Sequence, residues 1–148
     1  MMKRLTLIVA MLAALIGWLP AASAEEMRQA LGESEIAEIR SAVEKQIDAL
    51  TNDDAARAFD LTTEDTRNRL GSPDNFLRII KEKYEPVYRH RMALYSSPQV
   101  VLGKVYQAVR LTDLESHVWV AIYLMHKDEQ GTWKIDGCQL VQTPAVAI

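Results

Sequence analysis

The sequence predicts an α+β domain in which N-terminal helices pack on a curved antiparallel sheet of three to four strands. Three observations carry this expectation. Ile36, Ile39, Val43, Ile47 and Leu50 recur at steps of three and four, the spacing that puts one apolar stripe on a helix. Residues 118–141, VWVAIYLMHKDEQGTWKIDGCQLV, read as two strands around the polar turn 126–131. Their Val, Ile, Tyr and Trp suit a pleated, half-buried surface, and Gly131 supplies the positive backbone angle that a short hairpin loop needs. Finally, the helical segments all precede the strands. That order excludes a doubly wound nucleotide fold, which needs alternation, and no glycine-rich phosphate loop is present.

The chain divides unevenly. Lys3 and Arg4 precede an apolar run over residues 5–19, followed by Pro20 and the small-residue pattern Ala22-Ser23-Ala24. The run is shorter than the roughly 20 residues that span a bilayer, so residues 1–24 read as a cleaved secretory signal peptide. No Cys follows the run, which argues against a lipid-anchored variant. The expected product is exported, periplasmic or secreted, with no stable membrane anchor after cleavage. Residues 25–33 form a tether, 34–142 a single domain and 143–148 a tail containing Pro144. Losing Lys3 and Arg4 takes the formal net charge from −3 to −5. That acidity argues against nucleic acid as a partner, since phosphate binding needs net cationic surface. A single cysteine, Cys138, rules out an internal disulfide; its place in a strand predicts a buried core thiol, although it remains able to pair between chains.

Along the chain, Ser34 is the expected N-cap of the first helix, with Glu35 and Glu38 near the positive end of its dipole. Asn52-Asp53-Asp54 ends it and caps a short helix over 55–59 anchored by Phe59; the acid pair reads as a capped corner rather than a catalytic pair. Residues 62–70 add a turn or two closed by Gly71. Ser72-Pro73-Asp74 then starts a helix with Phe76, Ile79, Ile80 and Tyr84 on its apolar face, and Pro86 stops it. Residues 92–95 form a short strand behind the basic triplet Arg89-His90-Arg91, a solvated approach to the strand with Glu82 and Glu85 nearby. Residues 99–112 read as one long strand. Val101, Val105, Val109 and Leu111 share one parity, Leu102, Tyr106 and Ala108 the other, and Gly103 marks a bulge or bend. Residues 113–116 make the turn into the hairpin.

The segments QIDALTNDDAARAF (46–59), GSPDNFLRIIKEKYEPVYR (71–89) and GTWKIDGCQLV (131–141) resemble a bacterial family of unknown function, domain of unknown function 4864. That family resembles a branch of the nuclear-transport-factor-2-like superfamily, the cystatin-like or SnoaL-like cone fold. The resemblance implies a bent sheet wrapped on a long helix, often with a pocket at the open end. It also implies relatives that range from isomerase- and dehydratase-like enzymes to non-catalytic members and dimers. It supplies no catalytic residue.

The residues themselves point to no cofactor, metal or catalytic set. His90, His117 and His126 lie outside ligand spacing of one another and of Cys138. The leading expectation is a non-catalytic domain that binds a small apolar ligand or a peptide, or forms a homodimer through the sheet face. Its motive is the run 118–125, apolar on both parities, which leaves one sheet face in need of cover. Candidate pocket residues are Tyr84, Tyr88, Trp119, Tyr123 and Gln139, which combine aromatic area with a few polar handles. The alternative is an isomerase- or lyase-like enzyme using Asp136 with Tyr106 or Tyr123. Against it, Asp136 shares parity with Lys134 and is expected to face water. A structural envelope component is the remaining alternative.

Overall fold

The computed structural model describes residues 30–144. The predicted signal peptide, residues 25–29 of the tether and residues 145–148 of the tail lie outside the described residues. Among those described, no helix is long and apolar enough to cross a membrane.

Helix α1 spans Glu33–Thr51 and buries Ile39, Ala42, Val43, Gln46, Ile47, Ala49 and Leu50 along one side. It starts ahead of the expected Ser34 cap. Gly32 holds the cap position in extended backbone, and its N–H donates to Glu35 Oε2 (3.4 Å). Asp54 caps α2 (Ala55–Asp60) by accepting from the Arg57 N–H, and Thr63 caps α3 (Glu64–Leu70) in the same way through Thr66. Gly71 ends α3 at φ 84°, a region that glycine enters without Cβ strain. Ser72 caps α4 (Pro73–Lys83), as its Ser-Pro-Asp start predicts. Pro86 does not simply stop that helix. It sits in the first turn of a further short helix, α5 (Glu85–Tyr88), where a missing N–H costs nothing.

The antiparallel sheet has five strands: β1 (Met92–Tyr95), β2 (Gln99–Val101), β3 (Lys104–Thr112), β4 (Val118–Lys127) and β5 (Trp133–Gln142). The order is β1-β3-β4-β5, with β2 sharing the β3 edge alongside β1, and the sheet does not close into a barrel. The additional strand comes from 99–112, which is a tight hairpin rather than one bent strand. Val101 pairs with Lys104 across Leu102 (φ 51°) and Gly103 (φ 75°). Positive φ at both central residues is the turn that matches strand twist. The turn also breaks the parity count, so Val101 faces away from Val105. At the same end of the sheet, Asp128 Oδ1 accepts from the Gln130 and Thr132 N–H groups and Gly131 takes φ 78°, closing β4 to β5.

The register sorts the strands into two faces. Val109, Ala121 and Leu140 lie in one row and Gln107, Tyr123 and Cys138 in the next, all on the face that meets α1, α4 and α5. The β5 edge is also protected. The α2–α3 link runs beside it, with the Ile135 N–H donating to Leu61 O and the Thr63 N–H to Ile135 O (both 2.9 Å). The opposite face carries Leu94, Val118, Val120, Ile122, Leu124 and Val141, with no helix over it among the described residues.

Candidate functional site: a cavity between helices and sheet

The site begins with a local irregularity in β5. Tyr123 pairs with Cys138 and Leu124 with Gly137, but Met125 pairs with Ile135, so Asp136 is an extra residue opposite no partner. The bulge reverses the expected orientation of Asp136. It is half-buried and turned onto α3: the Thr63 hydroxyl donates to its Oδ1 (2.7 Å) and the Thr66 hydroxyl to its main-chain oxygen (3.0 Å). Parity counting from Lys134 fails here because Asp136 is itself the extra residue of the bulge.

Beside the bulge lies a cavity of about 230 Å³. Leu50 of α1, Phe76 and Ile80 of α4, and Ile135 of β5 give it apolar walls. Thr62, Thr66, Arg69 and Asp136 also line it, and the exposed Arg69 and half-buried Asp136 mark its open side. Gln46 and Tyr123 line the buried part.

Tyr123 is 1% exposed, and its hydroxyl meets no oxygen or nitrogen partner; its polar neighbour is the Cys138 thiol, a weak acceptor. Gln107 Oε1 and Trp133 Nε1 are the other such buried atoms among the described residues, and neither residue lines this cavity. Burial holds the Tyr123 phenol well above its ordinary ionisation range, and the neighbouring Cys138 adds to the effect. Burial likewise pushes the Cys138 thiol up to about 12. Both groups are therefore neutral at physiological pH. Tyr84 completes this side by donating its hydroxyl to Cys138 O (3.3 Å). The Gln46 Nε2 donates to Ala58 O (3.1 Å), which sets the orientation of its amide.

Of the residues expected to line a pocket, Tyr84 and Tyr123 line the cavity. Trp119 and Gln139 do not; with Tyr84 they border a shallow groove over the α4–α5 junction. Trp119 has a different task, donating its Nε1 to Asp113 Oδ2 (2.9 Å). Tyr88 lines neither space. Its hydroxyl donates to Asp53 Oδ1 (2.7 Å), and the Arg89 guanidinium lies 3.8 Å over its ring. The Tyr88 hydroxyl, with Lys81, holds the Asp53 carboxyl below its usual range. Tyr106, the other tyrosine of the enzyme alternative, pairs with Leu124 in a row of the opposite sheet face.

The basic triplet does not form one anion-binding patch. Arg89 donates to Thr51 O (3.1 Å), His90 Nδ1 lies 3.1 Å from Pro86 O, and Arg91 donates to Ser116 Oγ (3.2 Å). Asp113, Glu115 and His117 bring ligating atoms within 4.8 Å of one another, a grouping not expected from histidine spacing. The Asp113 carboxylate is occupied by turn closure, accepting from the Glu115 and His117 N–H groups and from Trp119. Burial raises its ionisation range, and these donors more than offset that, leaving it lowered.

Sequence reasoning missed Gln46, Thr66, Arg69 and the walls on α4. Gln46 left a readable signal, a polar residue three after Val43 and four before Leu50 within the apolar stripe. Thr66 and Arg69 left none, because their relation to β5 depends on the bulge.

No curated protein and no solved structure matches this chain. The family model described as Domain of unknown function (DUF4864) matches residues 33–148, nearly the whole described fold. By that match the chain belongs to the DUF4864 family.

Proposed function

We propose that this domain is an exported, non-catalytic protein that binds a small, largely apolar molecule in the helix–sheet cavity. The observation that carries the reading is the cavity itself, about 230 Å³ between the apolar side chains of Leu50, Phe76, Ile80 and Ile135, with Tyr123 also on its lining. Its size supports a compact ligand. At about 230 Å³ the space exceeds the roughly 150 Å³ of an engineered apolar cavity that binds benzene. It falls below the roughly 300 Å³ at which drug-sized pockets begin. The leader pattern of residues 3–24 supports export. The helices-first order and the open sheet support kinship with the cone-shaped superfamily, as an analogy of fold alone. The test is thermal unfolding with and without dissolved ethylbenzene. A rise in the midpoint supports the reading, and an unchanged midpoint at saturation overturns it.

One observation favours the enzyme alternative: Asp136 and Tyr123 line the same cavity. Asp136 Oδ1, however, accepts from Thr63, a bond that ties α3 to β5. Deuterium exchange at the α-carbon of a bound ketone, lost in Asp136→Asn, would favour the enzyme; exchange at the buffer rate favours binding alone.

The outer sheet face supports a second interaction, with another copy of the chain. Antiparallel sheets that face water alternate apolar with polar residues, yet Val118, Val120, Ile122 and Leu124 all occupy outward positions on β4. Four neighbouring strands give a face on the order of 600 Å², from strand spacing and rise. That reaches the lower range per partner of specific interfaces. Light scattering should report a dimer that Ile122→Lys converts to a folded monomer; a wild-type chain that stays monomeric at high concentration overturns this.

A further inference from the structure

The charged residues of the cavity lining narrow the chemistry of what it holds. There are two, the exposed Arg69 on α3 and the half-buried Asp136 on β5. Their charged groups flank a single oxygen. Arg69 Nη2 donates to Thr66 Oγ1 (3.0 Å), and Asp136 Oδ1 lies 3.4 Å from that same hydroxyl. Thr66 also lines the cavity, so the contact holds the guanidinium against the lining.

The two charges are close, yet neither forms an ion pair among the described residues. The other acceptor for Arg69 Nη2 is neutral, the main-chain oxygen of Asp136 (3.5 Å). Asp136 Oδ1 in turn accepts from the Thr63 hydroxyl (2.7 Å). Arg69 Nε and Nη1 donate to nothing, and Asp136 Oδ2 accepts from nothing, among the described residues. A cationic donor and an anionic acceptor thus stand side by side, one threonine hydroxyl apart.

Such a mouth discriminates by charge. A carboxylate on the guanidinium gains charge-assisted hydrogen bonds but is repelled by the Asp136 carboxylate. An ammonium on Asp136 is repelled by the guanidinium for the same reason. A molecule that carries both groups on one carbon satisfies both residues and adds no net charge. That is the head group of an α-amino acid. Behind the mouth, Leu50, Phe76, Ile80 and Ile135 bound a space of about 230 Å³ with no further charged residue on its lining. An ion placed there would be unpaired, so the space suits an apolar ring or branched chain.

We infer that the cavity takes a free α-amino acid with an apolar side chain, its carboxylate on Arg69, its ammonium on Asp136 and its side chain between Leu50, Phe76, Ile80 and Ile135. This rests on the cavity being a binding site, and the experiment separates the two statements. Calorimetric titration of the full chain uses four probes with one ring: phenylalanine, 3-phenylpropionate, 2-phenylethylamine and ethylbenzene. The second lacks the ammonium, the third the carboxylate and the fourth both. Phenylalanine is expected to bind tightest, with each singly charged probe about tenfold weaker, the worth of a hydrogen bond to a charged group. Arg69→Gln alters an exposed side chain and should weaken phenylalanine about tenfold without weakening 2-phenylethylamine. Asp136→Asn keeps an oxygen for Thr63 and should weaken phenylalanine about tenfold without weakening 3-phenylpropionate. Any other probe binding as tightly as phenylalanine, or phenylalanine binding unchanged in either variant, overturns the amino-acid class while cavity binding stands. Failure of all four probes to bind overturns both statements.

Discussion

The two faces of this sheet are made of alternate residues of the same strands, and they solve the problem of apolar surface differently. The inner face is covered: Val109, Leu111 and Ala121 are fully buried beneath the helices. Where that packing opens, the gap is lined by Tyr123 and by Gln46 with its amide orientation set. The outer face carries an apolar row on β4 flanked by Arg110 and Gln139, and among the described residues it lacks helical cover; Met92 and Leu94 remain 52% and 53% exposed. Composition alone therefore does not mark the ligand site. What distinguishes the inner face is a cavity between helices and sheet, open on the Arg69 and Asp136 side, whereas the outer face offers area and little directional bonding. The first suits a small molecule and the second a broad partner surface.

The largest test of this contrast is a matched pair of truncations. Leu111→Ala on the inner face removes a fully buried side chain and should cost about 2–5 kcal/mol in chemical unfolding. Leu94→Ala in β1, on the outer face, should cost under about 1 kcal/mol in the dilute chain. Equal losses would mean that the outer face is as deeply packed as the inner one.

Cys138 sharpens the same contrast through chemistry. With the thiol pushed from 9.0 to about 12, the folded chain holds about a thousandfold less thiolate at a given pH than an ordinary cysteine. Iodoacetamide at pH 8 should therefore label it slowly when folded and rapidly in denaturant. The sign for stability follows from the raised value. The contribution is fully present below the unfolded pKa near 9 and is lost as pH rises toward about 12. Labelling of the folded chain at the denatured rate would show that the inner face is open at this point.

Leu102 gives the smallest effect and a control, since it belongs to a turn and to neither face's packing. It is 97% exposed at φ 51°, a conformation that disfavours a leucine. Leu102→Asn should stabilise the chain by about 1 kcal/mol, read from the unfolding midpoint, without altering ligand binding. Destabilisation would show that the side chain has packing that its exposure does not reveal.

Much of this arrangement is legible in the sequence, and the failures share one cause. The α1 stripe, the Ser72-Pro73 helix start, the β4–β5 hairpin and the helices-first order can all be read locally, from period, cap and turn chemistry. Tyr84 and Tyr123 are found because aromatic residues with polar tips stand out in apolar segments. The orientations of Asp136 and Val101, and the place of Thr66 against β5, are not, because each depends on strand register. One extra residue in β5 and one two-residue turn at Leu102-Gly103 each reset which side of the sheet a residue meets. Period-two counting assumes an unbroken register, so it fails at the places where the chain breaks it. Tyr88 fails differently. Its ring looks like a pocket aromatic, but the adjacent Arg89 stacks on it and Asp53 takes its hydroxyl, which holds it at the surface.

The most direct test of the central claim is native mass spectrometry of the full chain after non-denaturing purification, followed by addition of phenylalanine. The cavity reading predicts a protein carrying, or taking up, one small molecule per chain that is released on denaturation. A chain that is bare as isolated and still bare at saturating phenylalanine and ethylbenzene would contradict it.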